Sequence, residues 1–137
     1  PTGFTSIDDL TLGWQRGDLI IIAARTSIGK STFAVNTAVA VAQAGQRVAI
    51  FSLEMTQAQI EDRIVSALSG IPLTRIKIGN VSDFEMSQKI APALQAMHDL
   101  PIEIDDTPGR TALDIRRQCR QMHAEGNVSF EVGRDVR

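Results

Sequence analysis

The stretch that decides the fold is residues 19–32, LIIIAARTSIGKST. It begins with an unbroken apolar run over residues 19–24 and ends in a glycine, a lysine and two hydroxyl residues. An apolar run without polar alternation is typical of a strand that is buried on both faces of a parallel sheet. We therefore predict a buried strand over residues 19–24, then a tight polar turn and a helix.

The polar turn has the composition of a phosphate cradle. A strand that turns tightly into a helix aims backbone N–H groups at one point, where the helix N terminus adds partial positive charge. Gly29 allows close approach of the backbone, Lys30 supplies a cation, and Ser31 offers a hydroxyl to Mg²⁺. The turn fits G-x-x-x-x-G-K-[ST] with Ala24 at the first position. A chance Gly-Lys-Ser surface turn is the alternative, and the predicted strand and helix on either side disfavour it.

Strand and helix patterns alternate along the rest of the chain, which predicts an α/β fold with a mainly parallel sheet. Capping-box pairs predict two helix starts, Thr56 with Gln59 and Ser82 with Glu85. Pro92 lies inside a helical pattern and should kink or split that helix. The other predicted elements are a helix over residues 32–44, strands over 48–53 and 102–104, and a last helix with Ile115, Cys119 and Met122 facing inward.

Composition limits the function classes. The chain has 137 residues, enough for one domain, and its net charge of -2 is unlike that of a strongly basic nucleic-acid-binding protein. No apolar stretch is long enough for a membrane span. Cys119 is the single cysteine, so no intrachain disulfide can form, which fits a cytoplasmic protein. Because Pro1 is not a natural start residue, we expect the chain to be a piece of a longer protein.

Acidic residues come directly after two of the predicted strands. Glu54 succeeds the strand over residues 48–53, on the side of an α/β sheet where ligands bind. It can orient or deprotonate a water that attacks a terminal phosphate, or it can simply favour the start of the next helix. Asp105 and Asp106 succeed the strand over residues 102–104. They suit a metal site or a turn that caps the next segment, and we favour the turn.

Several of these stretches together resemble the C-terminal motor domain of DnaB-type replicative DNA helicases. The resemblance covers residues 1–126 and includes the lead-in through the lysine loop, VAIFSLEM, PIEIDDTPG and DIRRQCR. It implies a RecA-like P-loop ATPase core, a hexameric ring, binding of ATP and Mg²⁺, and unwinding of forked DNA into single strands. It also implies that Glu54 is the catalytic base and that Lys30 acts in catalysis. The expected nucleotide-binding residues are Arg25, Thr26, Ser27, Ile28, Gly29, Lys30, Ser31 and Thr32, with Ser31 as the metal ligand.

The tail over residues 127–137 diverges from that family. A second acidic strand, with aliphatic residues ending in Asp, is expected after residue 126, yet the chain reads NVSFEVGRDVR. We therefore expect an incomplete sheet and a chain that by itself binds ATP weakly and hydrolyses it poorly. The leading interpretation is part of an ATP-dependent helicase motor. The alternatives are a non-catalytic nucleotide-binding or assembly module and another RecA-like ATPase of recombination or regulation.

Overall fold

The computed structural model describes residues 1–25, 27–126 and 128–133, and the side chains of residues 1–25 and 27–125. Helices and strands alternate as the sequence predicts. The elements in chain order are α1 (Thr5–Thr11), α2 (Lys30–Gln43), β1 (Arg47–Phe51), α3 (Gln57–Ser69), α4 (Leu73–Lys77), α5 (Asp83–Glu85), a π-helical turn (Met86–Ile90), α6 (Ala91–Asp99), β2 (Ile102–Asp105), α7 (Ala112–Gly126) and β3 (Val128–Gly133).

The described strands form one parallel sheet in the order β2-β1-β3. The central strand β1 is buried on both faces, as its sequence RVAIF predicts. The strand β3 falls in the divergent tail and pairs with β1, with an irregularity in the register between Arg47 and Val48. The tail therefore contributes a strand beside β1.

The main core lies between α2, α3 and β1. Ile60 and Ile64 of α3 are each 1% exposed and lie in one cluster with Ala38 of α2 and Val48 of β1. Their spacing of four residues places both on one face of the helix. A smaller cluster on the other side joins Met122 of α7 to the sheet, with Ile115 and Cys119 packed against it as predicted.

Two predicted helix starts hold because their signals are local. Both capping boxes form, at Thr56 with Gln59 and at Ser82 with Glu85. Pro92 lacks the N–H group that a regular helix needs, and a wide π-helical turn lies directly before α6, in which Pro92 is the second residue. The predicted helix is therefore interrupted by this π-helical turn but not split, since the backbone stays helical on both sides of it.

The predicted strand over residues 19–24 is wrong. These residues form no helix or strand in the structure, and Leu19 and Ile21 are 87% and 84% exposed. Ile20 and Ile22 are each 41% exposed, so the exposure of the side chains alternates along the segment. An apolar strand becomes buried only where a neighbouring strand pairs with its backbone. Among the described residues, the sheet contains only β2, β1 and β3, and residues 19–24 do not join it.

Candidate nucleotide-binding site

The lysine loop leads into α2 through a backbone conformation that suits glycine. Gly29 is the N-cap residue of α2 with φ 99°, a region that side chains with a Cβ rarely adopt. Ser27, two residues earlier, also has a positive φ of 67°. Lys30 is the first residue of the helix, and the Phe33 N–H donates to the Gly29 carbonyl oxygen at 2.9 Å.

The N terminus of α2 is open to an anion. Its N-cap residue, Gly29, has no side chain that could cap it, and a Cβ built there would meet no described atom within 4 Å. The first N–H groups of a helix lack intrahelical acceptors and carry partial positive charge. A 14-residue helix that begins this way can bind phosphate through its backbone.

The other loop residues that were predicted to bind nucleotide differ in exposure. Arg25 and Ile28 are exposed, Ser31 is half-buried in the first turn of α2, and Thr32 is exposed beside it. Thr26 lies outside the described residues. Magnesium needs few protein ligands because phosphate oxygens and waters complete its shell. The Ser31 hydroxyl, at the start of α2, is the one that the sequence predicts as a ligand of the ion.

Glu54 lies at the same edge of the sheet as this helix start. A three-residue turn joins α2 to β1, and α2 packs against β1, so the two run in opposite directions. The N terminus of α2 and the carboxyl end of β1 consequently lie at one edge, which is where Glu54 comes after the strand. Glu54 is exposed there, between β1 and α3.

Arg63 is a residue of this site that the sequence reasoning missed. Its Nη1 donates to the Thr32 hydroxyl at 3.2 Å and so connects α3 directly to the first turn of α2. Its Nε is buried and has no hydrogen-bond acceptor among the described residues. The sequence does place Arg63 one residue before the buried Ile64. That position puts a positive charge at the border of the face of α3 that packs in the core.

Asp105 is the last residue of β2, and Asp106 follows it directly. Burial by itself would raise the pKa of Asp105, but hydrogen bonds from Thr107 and the charge of Arg110, 2.8 Å away, lower it below its usual value. The Asp106 carboxylate accepts the Gln57 N–H at 2.7 Å. No group of three metal-ligating side chains occurs in the part of the chain that the structure describes, so neither residue joins such a cluster.

Comparisons with known proteins place this site in a family. The family described as DnaB-like helicase C terminal domain matches residues 1–132. This chain belongs to that family. It is 42% identical to the replicative DNA helicase DnaC of Bacillus subtilis (strain 168) and 41% identical to the replicative DNA helicase DnaB of Geobacillus stearothermophilus. These matches cover 95% and 96% of the chain and 29% of each relative, so the chain spans under a third of their length.

Solved structures share the fold. One, described as an ATPase domain, superimposes with a TM-score of 0.86 at 27% identity, over 97% of this chain and 47% of that chain. A DnaB-like replicative helicase, described with its interactions with primase, gives 0.88 at 27% identity, over 97% of this chain and 32% of that chain. The RecA-like helicase fold expected from the sequence is confirmed. In the described part of the chain, no helix is long and apolar enough to cross a membrane.

Proposed function

We propose that this chain is part of the motor of an ATP-dependent replicative DNA helicase. The observation that carries the proposal is the uncapped N terminus of α2, which lies at the same sheet edge as Glu54 in a chain of the DnaB-like family. ATP is the proposed ligand, and Mg²⁺ bound by the Ser31 hydroxyl would neutralise charge on its outer phosphates. The first backbone N–H groups of α2 and the Lys30 ammonium bind the phosphates.

The proposed chemistry is phosphoryl transfer to water, which depends mostly on positioning and electrostatics. Glu54 orients the attacking water and accepts its proton. Lys30 stabilises charge on the transferred phosphoryl group, and Arg63 brings a second cation to the first turn of α2.

We further propose that the complete protein forms a hexamer and acts on single-stranded or forked DNA. The net charge of -2 gives this chain little general attraction to DNA, so we propose DNA contact for the complete assembly. A cytoplasmic location stays a prediction.

Binding and hydrolysis are tested separately with two variants. Lys30→Ala should abolish most affinity for a fluorescent ATP analogue, whereas Lys89→Ala, an exposed lysine on the π-helical turn, should not. In the protein as its gene encodes it, Glu54→Gln should keep nucleotide affinity and slow hydrolysis by about 10²- to 10⁴-fold. Glu61→Gln, in the second turn of α3, is the matched control. Equal binding by the wild type and Lys30→Ala contradicts the phosphate site, and unchanged turnover in Glu54→Gln contradicts the general base.

A further inference from the structure

We propose that Asp106 is a positioning residue for Glu54. Its carboxylate holds the N terminus of α3, and thereby the short loop over residues 52–56 that carries Glu54. The inference rests on the proposed function, because positioning of Glu54 affects turnover only if Glu54 acts in hydrolysis.

The central contact joins two loops that are far apart in sequence. The Gln57 N–H donates to Asp106 Oδ2 at 2.7 Å, across 49 residues of sequence. Gln57 is the first residue of α3 and lies three positions after Glu54. Its N–H has no acceptor within the helix, so a carboxylate there makes a short, charge-assisted bond and also favours the helix dipole.

The loop is anchored on the strand side as well. The Ser52 N–H donates to the Asp105 carbonyl oxygen at 2.9 Å, which extends the pairing of β1 with β2 by one residue. The buried Ser52 hydroxyl then accepts the Met55 N–H at 3.0 Å. Glu54 thus lies between a turn that Ser52 closes and a helix start that Asp106 holds.

The direction of the Asp106 side chain is set by its neighbour. Consecutive residues at the end of a strand point to opposite sides. The Asp105 carboxylate accepts the Thr107 N–H at 2.9 Å and pairs with Arg110 at 2.8 Å, beside α7. Asp106 therefore points the other way, to α3. Asp105 thus binds the segment before α7, whereas Asp106 binds the start of α3.

Simple helix capping does not account for this contact. The capping box already supplies acceptors at the start of α3, because the Thr56 hydroxyl accepts the Gln59 N–H and the Gln59 side chain accepts the Thr56 N–H. Asp106 adds an acceptor at Gln57 that comes from the β2 loop. This contact joins the end of β2 to the loop that carries Glu54. It therefore holds the carboxyl ends of β1 and β2 in a fixed arrangement, at the edge of the sheet where the nucleotide is proposed to bind.

The experiment compares Asp106→Ala with Asp114→Ala in the protein as its gene encodes it. Asp114 is a matched control, because its carboxylate caps α7 by accepting the Thr111 N–H at 3.0 Å and the Thr111 hydroxyl at 2.8 Å. Asp106→Ala should lower kcat for ATP hydrolysis by about 10- to 100-fold, the usual effect of a small misplacement of a catalytic group. KM and the Kd for a non-hydrolysable ATP analogue should stay within about twofold. Asp114→Ala should leave all three unchanged.

A rescue variant and a double variant separate positioning from stability. Asp106→Asn keeps a carbonyl oxygen as acceptor for the Gln57 N–H and should recover most of the lost kcat. In a Glu54→Gln background, Asp106→Ala should cause no further loss, because residues that act as a unit are not additive. An equal loss of kcat in the two alanine variants overturns the proposal. So does a full additional loss in the Glu54→Gln background.

Amide hydrogen exchange distinguishes failure of this inference from failure of the proposed function. Asp106→Ala should speed exchange at the Gln57 N–H and over residues 53–57, and Asp114→Ala should not. If Glu54→Gln leaves turnover unchanged, the assigned role of Glu54 is wrong, and exchange alone then decides whether Asp106 anchors the loop. Unchanged exchange at Gln57 overturns the anchoring whatever the kinetics give.

Discussion

Two apolar segments of similar composition differ strongly in burial in this molecule. Residues 48–51 in β1 are 1% to 5% exposed, whereas residues 19–22 are 41% to 87% exposed. The strand β1 has a hydrogen-bonded neighbour on each side, β2 and β3, and helices cover its faces. The segment over residues 19–24 joins no described strand. Hydrophobicity makes a segment available for burial, but backbone pairing decides whether the sheet includes it.

The largest expected effect is on the free energy of unfolding, and truncation of one buried and one exposed apolar side chain tests it. Ile64→Ala removes a side chain that is 1% exposed and packs in the main core, and it should lower the free energy of unfolding by about 2–5 kcal/mol. Ile21→Ala, at 84% exposed, should change it by less than about 0.5 kcal/mol. Urea unfolding of this 137-residue chain measures both. Similar losses at the two positions would mean that residues 19–24 are packed in solution.

Two glycines test the same difference between packed and exposed segments at the level of the backbone. Gly3 and Gly17 have nearly equal φ angles, +88° and +87°, so alanine is strained at both. A Cβ on Gly3 would lie 2.8 Å from the Ala40 Cβ of α2, whereas one on Gly17 would meet no atom of the described residues within 4 Å. Gly3→Ala should therefore cost about 1–3 kcal/mol more than Gly17→Ala, which is the usual cost of overpacking. Thermal unfolding compares them, and equal costs would show that the N-terminal segment does not pack on α2.

Low pH should destabilise the folded chain by protonating carboxylates that accept hydrogen bonds or pair with arginine. The Arg75 side chain and the Ser82 N–H lower the pKa of Glu85, and the Thr111 N–H and hydroxyl lower that of Asp114. At Asp105, burial opposes the shift, but Thr107 and Arg110 outweigh it and the pKa is again lowered.

Each lowered pKa means that the unfolded chain binds protons first as the pH falls. The stabilising contribution is complete above the ordinary carboxyl range, about pH 4, and is lost as the pH falls through the lower folded values. Stability should therefore decline below about pH 4, and Asp105→Asn should reduce the slope. Urea midpoints measured from about pH 6 to about pH 3 test this, and an unchanged slope in Asp105→Asn would contradict the contribution of Asp105.

The smallest expected effect on stability concerns the exposed segment itself. Replacing both Leu19 and Ile21 by Ser should leave the free energy of unfolding nearly unchanged, since both side chains are already in water. The same change should reduce self-association of this chain, because an exposed apolar segment of extended chain favours pairing between molecules. Light scattering over a concentration series measures the association. A monodisperse monomer before substitution would contradict this expectation.

Much of the candidate site could be predicted because its signals are local. The loop pattern assigns Gly29, Lys30 and Ser31, and the structure gives them the expected place at the start of α2. Their functional roles stay predictions. Arg63 and Asp106 could not be assigned in the same way, since each depends on a contact with a residue 31 or 49 positions away in sequence. Such contacts result from the packing of α3 against α2 and from the β1–β2 pairing.

The sequence by itself determined the local structure of this protein. The capping boxes, the interruption at Pro92 and the helical stripe through Ile60 and Ile64 depend on neighbours within a few residues, so their physical cause can be identified from the sequence. Tertiary structure alone decided which apolar run is buried, because strand pairing depends on segments that are distant in sequence. It also decided that Asp106 faces the helix start beside Glu54, since that direction depends on how the end of β2 meets α3.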